Sequence, residues 1–111
     1  MQWLDDGVDL HAPVLACYEI ANALTRLIVA KAFPADKVEE AWTNLSILPI
    51  AYHSSMDAKR IVEIALRLGR QNAYDAVYLA LAESLGAELW TLDGPLYRNA
   101  SEFGFDVQLV S

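Results

Sequence analysis

Apolar residues in this chain change period several times, and each change marks an element. Leu15, Tyr18, Ala21, Leu24 and Ile28 recur at helical spacing and predict a helix over about residues 14–32. Pro34 ends it, and a more charged helix follows over 35–44. Residues 8–11 read as a short strand closed by Ala12-Pro13, with Pro13 suited to the start of the next helix. Residues 47–52 read as another strand, and Pro49 makes that one an edge. The run Ser54-Ser55-Met56-Asp57 has capping-box spacing for a helix that ends at Leu68, with Gly69 as its stop.

Organisation centres on residues 72–93, NAYDAVYLALAESLGAELWTLD. Asn72 opens an apolar helix as its cap, Gly86 stops it, and residues 88–92 form a strand ending at Asp93. Gly94-Pro95 starts a short helix to about 102, and 106–110 is a last strand. The order is βααβααβαβ. Strands separated by helices predict an α/β fold with a mainly parallel sheet covered on both faces. The front is unlike the rest. Trp3 and Leu4 read as the tail of a helix stopped by Gly7, and no strand precedes them.

Length supports one domain over residues 1–111, and the 55% apolar content predicts a well-buried interior. No apolar run reaches the roughly 20 residues that span a bilayer. The acidic N-terminus MQWLDDGVD is unlike a signal peptide. One cysteine, Cys17, forms no internal disulfide, which fits a reducing cytoplasm, and its helical setting predicts a small core residue. Fifteen acids against eight bases give a net charge of −7. That balance excludes non-specific adhesion to nucleic acid and favours a basic partner protein. It leaves room for an enzyme that reaches phosphates through cations.

Three carboxylates carry the candidate chemistry. Glu19 is the one charge between Ala12 and Thr25, in a helix apolar enough to be largely buried, where a carboxylate needs a partner or a metal. The plainer alternative is a surface pair with Asn22 or Arg26. Asp75 sits in the first turn of the central helix, where an acid complements the helix dipole whatever else it does. Asp93 suits a turn before Gly94-Pro95, yet it also stands at the carboxyl end of a parallel strand, the rim where open α/β sheets place ligands. Thr91, two residues earlier, points to the same side of that strand. Three acids at one rim would make an all-oxygen site for Mg²⁺ or Mn²⁺. Such sites activate water against phosphodiesters, so nuclease is the reaction class. His11 and His53, forty-two residues apart at strand ends, read as ordinary solvent-edge histidines. There is no Walker loop, GxGxxG or GxSxG.

Four segments together resemble the PIN domain, and within it the VapC-type toxins of toxin–antitoxin pairs. They are Ala12-Pro13-x-Leu15, Tyr18-Glu19-Ile20-Ala21-Asn22-Ala23-Leu24, Tyr74-Asp75-Ala76-x-Tyr78-Leu79-Ala80-Leu81-Ala82-Glu83, and Leu89-x-Thr91-x-Asp93. The resemblance implies a three-layer α/β/α fold and a Mg²⁺- or Mn²⁺-dependent endoribonuclease acting on RNA. It assigns Glu19, Asp75 and Asp93 to the metal site and Thr91 to a supporting hydroxyl. It further implies a homodimer and an inhibitory antitoxin. PIN domains begin with a central strand ending in the first acidic ligand, and here that strand is expected to be missing. Asp5, Asp6 and Asp9 stand in the wrong context to replace it. A shortened reading frame, a degenerate remnant, or a strand exchanged with a second copy would each account for this. The alternative function is a non-catalytic PIN-like module for dimerisation or partner binding.

Overall fold

The computed structural model describes residues 7–54, 57–69 and 73–110. The chain forms two compact units, Met1–Ser54 and Ser55–Ser111. Element order follows the expected βααβααβαβ, and every strand pairing is parallel, so the α/β class is borne out.

In the first unit, β1 (Leu10–Pro13) leads into α1 (Leu15–Val29), a 3-10 turn (Ala35–Lys37), α2 (Val38–Ile47) and β2 (Ile50–His53). The strands lie parallel in the register Leu10↔Ile50 to Pro13↔His53. The Val14 N–H extends the ladder by donating to the His53 carbonyl at 2.9 Å. Because successive N–H groups of a strand point to opposite sides, the nitrogen of Pro13 faces away from β2. That is why a proline can end this strand: it costs the ladder no donor. Pro13 therefore closes β1 and does not open the helix. The second strand is likewise displaced from expectation. Ile47 remains in α2, and β2 begins only after Pro49.

The apolar stripe of α1 is real, but α1 and α2 bury no residue. Instead Tyr18, Ala21, Leu24 and Ile28 face Val38 and Trp42 across a groove of ≈ 470 Å³. Cys17 lines the same groove half-buried, so it is not the core residue expected. Lys31 turns the chain after α1 with φ 59°, the one non-glycine positive φ among the described residues.

The second unit comprises α3 (Ala58–Leu68), α4 (Tyr74–Leu85), β3 (Leu89–Thr91), α5 (Gly94–Glu102) and β4 (Val107–Leu109). Strands β3 and β4 pair in parallel from Leu89↔Val107 to Thr91↔Leu109. Flanking bonds from the Leu89 N–H to Asp106 O and from the Val110 N–H to Thr91 O lengthen the ladder. On α3, Ile61, Ile64, Ala65 and Leu68 follow the i, i+3, i+4, i+7 stripe of one helix face, and all four are buried. The helix packs against α4, which buries Ala76, Val77 and Leu79, while Leu96, Ala100 and Val107 complete the core. Full burial of a side chain such as Ile64 is worth about 1.5–3 kcal/mol.

Polar bonds lock this packing at its rim. Arg60 forks onto Glu83 with Nε donating to Oε1 and Nη2 to Oε2, both at 2.7 Å, and so ties α3 to α4. Asn99 Nδ2 donates to the Leu68 carbonyl at 2.9 Å, satisfying an orphan acceptor at the end of α3. Gly69 and Gly86 end their helices with φ 73° and 62°, as expected of glycine stops. The capping box is corrected. Asp57 is itself the N-cap of α3, its carboxylate accepting from the Arg60 N–H at 3.2 Å. Asn72, the expected cap of α4, and the helix tail at Trp3 and Leu4 lie outside the described residues. Each sheet is two-stranded among the described residues.

Candidate functional site

Asp93 is built into place by its neighbours in sequence. Strand β3 ends at Thr91, and two residues later Asp93 becomes the N-cap of α5, its Oδ1 accepting from the Leu96 N–H at 3.0 Å. Pro95 in the first helical turn lacks the N–H that would otherwise go unsatisfied. The Asp93 N–H donates to Thr91 Oγ1 at 3.0 Å, so the hydroxyl fixes the backbone from which the carboxylate projects. Oδ2 of Asp93 keeps no partner among the described residues. Thr91 thus bonds the main chain of Asp93 and not its carboxylate.

Asp75 is half-buried in the first turn of α4, where the unpaired N–H groups of the helix start favour an acid. Helix α4 packs on β3, whose end leads to Asp93. Glu19 is a different matter. It belongs to the first unit and sits exposed on α1, a helix with no buried residue. The argument that burial obliges Glu19 to find a partner is therefore corrected. An apolar stretch buries only if the fold supplies a surface against it, and α1 buries none of its residues. Among the described residues, neither unit gathers three or more His, Cys, Asp or Glu side chains as a ready-made metal cluster.

The strongest electrostatic feature is structural. The hydrogen-bonded Arg60 guanidinium holds the Glu83 carboxyl below the usual glutamate range, against the opposing effect of burial. Reciprocally, Glu83 and then Glu63 hold Arg60 further above its already high value. Arg67 lies over the ring of Phe103 at 5.3 Å.

One constellation escaped the sequence. His11 Nδ1 and His53 Nε2 lie 2.8 Å apart, with ring centroids at 5.1 Å, so the two are a bonded pair and not isolated edge histidines. Each has odd parity on a short strand, and the register places Pro13 beside His53, leaving His11 on the same face one diagonal step away. The signal lay in the pairing of two strands forty-two residues apart, which no local pattern encodes.

Residues 1–102 match the PIN domain family. Over 92 residues the chain is 35% identical to Ribonuclease VapC3 of Pyrobaculum aerophilum, a span of 79% of this chain and 69% of that protein. Among the described residues, no helix is long and apolar enough to cross a membrane.

Proposed function

The chain belongs to the PIN domain family, and from that membership we propose that it is a metal-dependent endoribonuclease of the VapC toxin type. The observation that carries the reading is the match over residues 1–102, a span that contains Glu19, Asp75, Thr91 and Asp93. The relative from Pyrobaculum aerophilum bears the name ribonuclease, which supports RNA as the substrate. On this reading residues 1–111 act as one domain in the cytoplasm.

Glu19, Asp75 and Asp93 are the groups that would hold the cation. Their donors are all carboxylate oxygens, a set that fits Mg²⁺ or Mn²⁺. The bound ion would supply an activated water and offset the charge of a phosphodiester. The chain's own part is positional. Asp93 spends Oδ1 on its helix cap and keeps Oδ2 for a ligand, while Thr91 fixes the backbone between strand and helix. Given its net charge of −7, the protein would approach RNA through the bound cation.

The decisive variant is Asp93→Asn. Asparagine caps a helix about as well as aspartate, so the change removes the charge and keeps the cap. The expected result is Mn²⁺- or Mg²⁺-dependent cleavage of single-stranded RNA by the wild type, lost in the variant at unchanged melting temperature. A folded wild type that cleaves no RNA with either ion overturns the reading.

A second reading has an observation of its own. The first unit leaves Tyr18, Val29 and Ile47 exposed at 68%, 77% and 73%. Large apolar side chains in that number suit a surface covered by another chain, whether a second copy in a homodimer or an antitoxin. On this reading the chain is a PIN-like binding module, and it is what remains if cleavage is absent.

A further inference from the structure

From the His11–His53 pair we propose a second metal site, for a zinc-class ion, on the β1–β2 sheet of the first unit. Two imidazole nitrogens already converge to 2.8 Å, joined by one hydrogen bond. Both rings are carried on adjoining strands whose register is fixed by the ladder and by the Val14 N–H bond to the His53 carbonyl. The chelate is thus organised before any ion arrives, which lowers the ordering cost of binding. His11 is exposed and His53 half-buried, so an ion and its waters can reach the pair.

Geometry requires a small opening. Zinc binds imidazole nitrogen at about 2.0–2.1 Å in a tetrahedron, which sets two such nitrogens roughly 3.3 Å apart. The pair must therefore part by about half an ångström, within the reach of side-chain rotation. Nδ1 of His11 and Nε2 of His53 take two positions once the proton they share moves to the donor ring's other nitrogen, and water fills the others. Imidazole suits Zn²⁺, Ni²⁺ and Cu²⁺, whereas the carboxylates assigned above suit Mg²⁺ and Mn²⁺. The two sites differ in ion class as well as in residues, and this one does not depend on the nuclease reading.

The site also has a physical consequence. Among the described residues of the first unit Pro13 alone is buried, so apolar packing does little to hold β1 to β2. An ion shared by one ligand from each strand adds a cross-link, and any ligand that binds only the folded form raises its stability.

The test is Zn²⁺ titration of the metal-free full chain by calorimetry, with imidazole nitrogen resonances followed by NMR. One Zn²⁺ should bind per chain, with the rings of His11 and His53 shifting first and the melting temperature rising. His11→Ala and His53→Ala should each weaken binding about tenfold or more and abolish the thermal shift. Asp93→Asn should leave both unchanged. Zinc that binds without moving these two rings, binding equal in the histidine variants, or no binding at all overturns the proposal. The NMR readout decides the matter even if a histidine variant fails to fold.

Discussion

The two units carry similar apolar content into opposite outcomes. In the second, the stripe Ile61, Ile64, Ala65, Leu68 meets α4 and becomes a core, with Ile64 at 0% exposure and Leu79 at 2%. In the first, the stripe Tyr18, Ala21, Leu24, Ile28 is equally periodic, yet it lines an open groove and α1 buries nothing. Periodicity tells which face of a helix wants burial. It does not say whether a partner surface exists. The second unit is held by packing and by side chains that bridge its helices, as Arg60 and Asn99 do. Among the described residues, the first has a two-stranded ladder and a single buried residue, Pro13.

Four measurements sharpen or break that contrast. The largest effect is expected from Ile64→Ala, which should cost about 2–5 kcal/mol in urea unfolding through the cavity it leaves. Val29→Ala, at 77% exposure on α1, should stay within about 0.5 kcal/mol. Comparable losses at the two positions would refute the contrast.

Next comes the strand-to-helix junction. Asp93→Ala removes the cap on the Leu96 N–H and should cost about 1 kcal/mol, while Asp93→Asn should cost far less. If both destabilise equally, the charge and not the cap is what α5 requires.

Smaller still is the pH response of the Arg60–Glu83 pair, because both side chains are partly exposed and screened. The folded state holds Glu83 below its ordinary value of 4.5. Its contribution is therefore present above that value and is lost as pH falls through the lower folded one. Glu83→Gln should flatten the acid limb of the stability curve and leave the region above pH 6 nearly parallel to wild type. An unchanged acid limb would show that other carboxylates govern it.

The least perturbing test is native hydrogen exchange, where amides of α1 and α2 should exchange faster than those of α3 and α4. Equal protection would mean that the first unit is stabilised by something other than its own packing.

Much of the candidate chemistry could be read from sequence because it is local. Thr91, Asp93, Gly94 and Pro95 form a strand exit and helix start whose bonds span three residues at most, and residue types at fixed offsets suffice to specify it. The glycine stops at Gly69 and Gly86 are legible for the same reason. The burial expected of Glu19 was misjudged, since it depends on what covers α1. The histidine pair could not be found, since its spacing of forty-two residues collapses to 2.8 Å only through a parallel register.

By itself, then, the sequence determined the order of elements, the glycine stops at Gly69 and Gly86, and the turn from β3 into α5. Those follow from backbone propensity and hydrogen bonds over a few residues, which act before any distant contact forms. Tertiary structure alone decided which apolar faces find a partner, where β1 and β2 begin and end, and that His11 meets His53. Each of these depends on surfaces brought together across long stretches of chain, and such pairings are set by the packing of the whole unit.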